Sequence, residues 1–204
     1  MRRFVSDVAF SPSVKAVQER MGSRAAYAQM ELKTGWSDRI TPRAAAFIAE
    51  RDMFFLATVN ADGQPYVQRR GGPAGFLKVI DEKTLAFADY SGNRQYISVG
   101  NLADNPKACI YLMNFVDGTR IKIWGRAEVV EADDPLRAQV HDAEDRAPVE
   151  RLIRFHVEAW DANCKKYNNP RFTQDEISAT VAPLRQRIAE LEAELARLNE
   201  GQSE

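Results

Sequence analysis

Cysteine and histidine are scarce in this sequence: Cys109, Cys164, His141 and His156 are all that its 204 residues contain. With no Cys-x-x-Cys pair, and a chain long enough to bury its own core, no disulfide framework is expected and a reducing cytoplasm is the natural setting. The histidines lie far apart without a cysteine or carboxylate cluster at ligand spacing, so no metal site is expected. An excess of charge of one sign is missing as well. Lys and Arg total 28 against 29 Asp and Glu, a net charge of −1, which gives no whole-molecule field to draw in nucleic acid or an anionic membrane. Any anion site must therefore be local. No apolar run is long enough to span a bilayer, and Met1 to Asp7 has two arginines but not the apolar stretch of a secretory signal.

What is present fits an ordinary globular chain, 45% hydrophobic and 28% charged, of a size suited to one domain with appendages. Three regions differ in pattern: a helical segment over 1–50, a strand-rich domain over 51–172, and a long helix over 173–204. In the first, Ser11-Pro12 and Thr41-Pro42 are cap-then-proline helix starts. Val14, Val17 and Met21, then Ala45, Phe47 and Ile48, recur at helical spacing and are expected to pack these helices on something larger.

From Met53 the period changes. Met53–Val59 is a β-prone run, Asn60–Gly63 a turn, and Pro65–Arg70 its return strand. Further strands are predicted at 75–80, 84–88 and 107–113, with a short helix over Arg94–Leu102 stopped at Asn105-Pro106. The longest strand is Arg120–Val130, where Ile121, Ile123, Gly125, Ala127 and Val129 alternate with Arg120, Lys122, Trp124, Arg126 and Glu128. Residues 132–142 are charged and read as helical, 149–160 carry Leu152, Ile153, Phe155, Val157 and Trp160, and 163–171 read as an irregular loop. Many short strands with few inserted helices predict a mainly β (α+β) fold, a split antiparallel barrel with helical decoration.

In the last region Thr173-Gln174-Asp175-Glu176 is a capping box. Ile177, Val181, Leu184, Ile188, Leu191, Leu195 and Leu198 then step by four and three, an aliphatic seam of about three heptads. Pro183 falls in its second turn and is expected to bend the helix. Two readings stay open for the seam: a coiled coil with another chain, or an amphipathic helix lying on its own domain.

Chemistry-bearing residues cluster in the middle of the chain. Asp89-Tyr90-Ser91-Gly92-Asn93-Arg94-Gln95 sets a glycine turn, two amides and a guanidinium at a predicted helix start, with Ser98 one turn after Arg94; that pattern suits an anion. It equally suits an ordinary strand-to-helix turn with a solvated arginine. Gly71-Gly72-Pro73-Ala74-Gly75 lacks the strand, spacing and helix of a nucleotide fingerprint, and reads as a bulge or bend. Trp160 and Cys164 read as packing residues, with a role over a cofactor as the alternative. No catalytic acid or base is identified.

Taken in order, Gln68-Arg69-Arg70, Gly75-Phe76-Leu77-Lys78, Asp89 to Gln95 and Arg120 resemble the pyridoxamine 5′-phosphate oxidase-like, FMN-binding split-barrel family over roughly residues 50–131. The resemblance implies a homodimer with two FMN sites between subunits. It implies cofactor contacts from Gln68, Arg69 or Arg70, from the strand holding Phe76, Leu77 and Lys78, and from Asp89, Asn93, Arg94, Gln95 and Ser98. In that pattern Arg94 and Gln95 grip the phosphate, Gln95 replacing a frequent basic residue, Lys78 lies near the ring or substrate, and Arg120 reaches FMN from the partner subunit. The tryptophan-and-arginine motif that completes the substrate site of true pyridoxamine phosphate oxidases is not found; the seamed helix stands in its place. The resemblance thus implies a different branch: an FMN-dependent oxidoreductase transferring hydride to or from a small molecule, with NAD(P)H as a candidate donor. A flavin-binding or storage protein without turnover is the alternative, and a deazaflavin the alternative cofactor.

Overall fold

Hydroxyl residues followed by proline start two helices in the computed structural model, which describes residues 4–131, 135–140, 148–163 and 168–201. Ser11 accepts a hydrogen bond from the Val14 amide at the start of α1 (Pro12–Arg20), and Thr41 accepts one from Ala44 at the start of α3 (Pro42–Ala49). Each bond satisfies an amide that the first turn leaves without a partner. Between them lies α2 (Arg24–Lys33), which the sequence reading did not distinguish. Of Ala45, Phe47 and Ile48, expected to pack, Ile48 is buried and Ala45 and Phe47 are partly buried against the core, joined by buried Ala44. Val14, Val17 and Met21 instead stay exposed, Met21 at 74%. The buried residue of α1 is Gln18, whose side-chain oxygen accepts from Arg24 at 2.7 Å. A polar clasp thus takes the place of an apolar stripe.

The rest of the first unit, Met1–Asn114 with Thr119–Lys165, is a seven-stranded sheet in the order β2-β1-β5-β6-β7-β4-β3. Its strands are β1 (Met53–Val59), β2 (Pro65–Gly71), β3 (Lys78–Asp81), β4 (Thr84–Tyr90), β5 (Lys107–Met113), β6 (Arg120–Val130) and β7 (Val149–Asn163). All pairings are antiparallel. Two helices interrupt them, α4 (Ile97–Asp104) and α5 (Arg137–Val140). Of the 132–142 stretch read as helical, α5 is what lies among the described residues, and His141, with Cys164 further on, lies outside them.

Alternation does the folding work. Along β6, Ile121, Ile123 and Ala127 are buried while Lys122, Trp124, Arg126 and Glu128 face outward, as the period of two requires. The 149–160 stretch, left without an element in the sequence reading, is the long strand β7. Phe155, Val157 and Ala159 are buried between exposed His156 and Glu158, while Leu152 and Ile153 are buried together because β7 there packs on both faces. Pairing of β6 with β7 shifts register between Trp124 and Gly125. A Cβ at Gly125 would overlap the His156 carbonyl oxygen, so the bulge needs glycine there.

The sheet curls so that side chains of β1 and β2 reach β4. Phe54 of β1 packs edge-on against Phe87 of β4 at 5.0 Å between centroids, and Phe76 stacks on Phe54 at 5.2 Å. Such ring pairs are each worth roughly 0.5–1.5 kcal/mol beyond the area they bury. Arg70 on β2 bonds Asp89 on β4 across the same closure. Helix α4 fills the gap, tied to β1 by a buried hydrogen bond from Asn101 Nδ2 to Thr58 Oγ1 at 3.0 Å.

The second unit comprises Phe115–Gly118 and Lys166–Glu204. Asn168 donates to the carbonyls of Phe115 and Val116. The capping box forms as read: Thr173 N donates to Glu176 Oε2 at 2.7 Å and Glu176 N to Thr173 Oγ1 at 3.2 Å. They open the 28-residue helix α6 (Gln174–Gly201), with Pro183 inside it.

Candidate anion cleft at the barrel closure

Period-two geometry on the edge strand β2 sorts the residues around Gln68. Gln68 and Arg70 point toward α4 and β4, whereas Arg69 between them is exposed on the other face. With the loop before α4 and the start of β7, they enclose a cleft of about 250 Å³. Ser98, almost fully buried, donates to Gln68 Oε1 at 2.9 Å, so α4 is clamped to β2 at its first turn.

The loop does not run straight into the helix. The predicted start at Arg94 gives way to Ile97, because Arg94 (φ 59°) and Tyr96 (φ 52°) both adopt the left-handed conformation. Non-glycine residues seldom do so, and the cost, of order 1–3 kcal/mol each, has to be met by the surroundings. Asn93 contributes by accepting from the Gln95 amide at 3.2 Å. Arg94 is consequently exposed at the cleft rather than stacked on the same helix face as Ser98. Tyr96, the N-cap, offers no side-chain acceptor, so the first amides of α4 lack a cap. Unpaired helix-start amides and the helix dipole favour an anion.

Below this turn lies a buried charge triad. Asp89 Oδ1 accepts from Arg70 and Oδ2 from Arg151 at 2.9 Å. Their side chains are only 7%, 12% and 20% exposed, respectively. Arg151 also lies 4.8 Å from the centre of the Tyr96 ring. Burial by itself would depress the Arg151 guanidinium, but hydrogen bonds to Asp89 and Tyr96 and the negative charges of Asp89 and Glu150 outweigh it and raise its pKa above the ordinary value. Neighbouring Glu150 is held below the usual carboxylate range, first by the Ser91 hydroxyl and also by Arg151 and Tyr96. The lining thus holds three guanidinium groups, of Arg70, Arg94 and Arg151, against two carboxylates, of Asp89 and Glu150. Arg70 Nε is buried with no hydrogen-bond partner. The balance is one positive charge, concentrated where the helix amides are free.

Gln68, Arg70, Asp89, Asn93, Arg94, Gln95 and Ser98 therefore come together as the sequence reading grouped them. Others do not join them. Phe76 and Leu77 are core residues at 2% exposure, ahead of a strand that begins only at Lys78. Lys78 borders a separate surface depression beside Ala45, Ala49 and Gly75. Arg120 begins β6, paired with Met113 and Asn163, away from this cleft. Arg151 and Tyr96 were missed by the sequence reading. The one available signal was the charged pair Glu150-Arg151 inside an apolar, strand-forming run. Trp160, read as packing, is partly buried against the core and donates from its indole nitrogen to the Arg39 carbonyl at 2.7 Å. Among the described residues no cluster of His, Cys, Asp or Glu could hold a metal ion, and no helix is long and apolar enough to cross a membrane.

Residues 40–164 match the protein family described as pyridoxamine 5′-phosphate oxidase. Among solved structures, a HupZ variant from Group A Streptococcus is 21% identical, covering 61% of this chain and 99% of its own, with a TM-score of 0.50; that likeness concerns the fold. A pyridoxamine 5′-phosphate oxidase-type protein from Lactobacillus delbrueckii is 22% identical, covering 61% of this chain and 95% of its own, with a TM-score of 0.48. An FMN-binding protein from Syntrophomonas wolfei is 14% identical, covering 74% of this chain and 97% of its own, with a TM-score of 0.43. No curated protein matches the sequence.

Proposed function

This chain belongs to the pyridoxamine 5′-phosphate oxidase-like family, whose members bind flavins, and on that premise we propose that it is an FMN-dependent oxidoreductase acting on a small molecule. The observation that carries the proposal is the excess guanidinium charge at an uncapped helix start, in the chain segment to which the family resemblance assigns cofactor contacts. A phosphate monoester fits these groups: it takes the exposed Arg94 guanidinium and the free α4 amides. Asn93 and Gln95 add neutral side-chain donors at the same turn.

FMN, when bound, supplies the redox chemistry by transferring hydride, and the protein's share is to grip and orient it. Asp89 holds Arg70 and Arg151 in place so that neither has to be ordered at binding. Lys78 and Arg120, apart from the cleft in the single chain, are assigned to the ring end, Arg120 from a second copy. A homodimer is therefore part of the proposal. The test is the absorption spectrum of the purified protein with and without added FMN, followed by anaerobic addition of NADH or NADPH. A bound flavin that bleaches on addition of either supports it. A protein that neither carries nor takes up FMN ends it.

One observation favours flavin binding without turnover instead. Both carboxylates at the cleft are engaged by arginines, and among the described residues no histidine lines it, which leaves neither a free carboxylate nor an imidazole there for proton transfer. Bound flavin that no electron donor reduces would select this reading.

A further inference from the structure

Helix α6 carries an aliphatic seam of which Val181 is half-buried and the other members are exposed. Ile177, Leu184, Ile188, Leu191, Leu195 and Leu198 are between 47% and 62% exposed. A solvated α6 would keep this row of large aliphatic side chains in water, at a cost of about 25 cal/mol for each Å² left wet.

The order of residue types says what covers it. Reading the four-and-three steps as a heptad puts Val181, Ile188 and Leu195 at the a positions and Ile177, Leu184, Leu191 and Leu198 at the d positions. The central layers, Val181 and Ile188 at a with Leu184 and Leu191 at d, have the β-branched-at-a, leucine-at-d order that favours two strands in a parallel pair, while Leu195 at a and Ile177 at d depart from it toward the two ends. Charges beside the seam agree. In a parallel, in-register pair the g-position Arg187 faces the e-position Glu192 of the other strand, twice by symmetry. In the antiparallel arrangement that overlaps all three heptads, Val181 meets Leu191, Ile188 meets Leu184, and Leu195 meets Ile177. That arrangement sets Arg187 against Arg187 and Arg185 against Arg185, two like-charge contacts at the centre. Within one chain Arg187 reaches Glu190 at 3.1 Å, with both side chains at least half exposed, so that pair adds little and does not compete. Pro183 lies inside α6 at a c position, outside the seam.

We propose that α6 forms a parallel, in-register two-stranded coiled coil with α6 of a second copy of this chain. The helix is 28 residues long, about 42 Å at 1.5 Å per residue, and the seam runs over three heptads of it. This pairing does not depend on flavin binding.

Single-cysteine versions of the full chain test it. Cys109→Ala and Cys164→Ala remove the native thiols, and Ile177→Cys, Leu195→Cys or Leu198→Cys is added singly. Under mild oxidation, Ile177→Cys and Leu198→Cys are each expected to cross-link like to like in more than half of the chains, because d positions face each other across a parallel dimer within disulfide reach. An antiparallel pair would instead cross-link Ile177→Cys with Leu195→Cys in a mixture, and neither with itself. That outcome overturns the proposal, as does no cross-link at any position while the proteins remain folded by circular dichroism. Flavin content, measured on the same samples, reports separately on the cofactor proposal.

Discussion

Replacing Asp89 by asparagine keeps the shape of the side chain and removes the one charge that holds two buried arginines together. Arg70 and Arg151 would be left with an amide oxygen between them, their own side chains only 12% and 20% exposed. Removing one partner of a buried ion pair costs about 3–5 kcal/mol, mainly because the remaining charge stays desolvated without compensation. Partial exposure of Arg151 and its contact with the Tyr96 ring soften this, so the loss expected for Asp89→Asn is about 3 kcal/mol. For a protein of this size that corresponds to about 6–12 °C in melting temperature. Urea unfolding followed by the fluorescence of Trp36, Trp124 and Trp160 measures it, with the slope expected to stay constant as the midpoint falls. Glu128→Gln is the control, since its bond to Arg154 is exposed and is worth less than about 1 kcal/mol. If Asp89→Asn costs no more than Glu128→Gln, water screens the triad and the reasoning from burial is refuted.

Three other outcomes follow from the same geometry. Gly125→Ala is expected to cost about 3 kcal/mol or more, or to prevent folding, because the new methyl group meets the His156 carbonyl and the Phe155 ring; a melting temperature within a degree of wild type would show that the bulge can relax. Thr58→Val leaves the buried Asn101 amide without its acceptor, so a loss of about 1–3 kcal/mol is expected in the same urea assay, against none if another acceptor is found. Burial pushes the Cys109 thiol up to about 11. Its raised value makes a contribution to stability that is complete below about pH 9 and lost as pH rises toward 11, since the unfolded thiol ionises first. Cys109→Ala is expected to flatten that part of the pH–stability curve, and an unchanged curve would place the thiol in contact with water.

Much of the fold was legible because it rests on local chemistry. Ser11-Pro12, Thr41-Pro42 and Thr173 to Glu176 each carry a cap and its recipient within four residues, and the β1–β2 hairpin has its turn written between two strand-forming runs. β7 was harder to read, since Leu152 and Ile153 are buried side by side and charged residues precede them, so no single period holds along its 15 residues. At the candidate site, the segment from Gln68 to Ser98 could be grouped because the family pattern orders it. Arg151 could not. It reaches Asp89 from 62 residues away only because β7 pairs with β4 and the barrel closes over both. The left-handed turn at Arg94 and Tyr96 was hidden for a related reason: neither residue type favours that conformation, and the surrounding contacts impose it.

The phosphate grip is tested most directly by comparing the Kd of FMN with that of riboflavin, which has the same ring and no phosphate, by fluorescence titration of the wild-type protein. Charge-assisted hydrogen bonds to the phosphate are worth about 1.5–3 kcal/mol each, so FMN is expected to bind at least tenfold more tightly, and Arg94→Ala to remove most of that difference without changing riboflavin binding. Equal affinity for the two flavins in the wild-type protein would contradict the assignment of the Arg70, Arg94 and Arg151 cleft as the place where the cofactor is held.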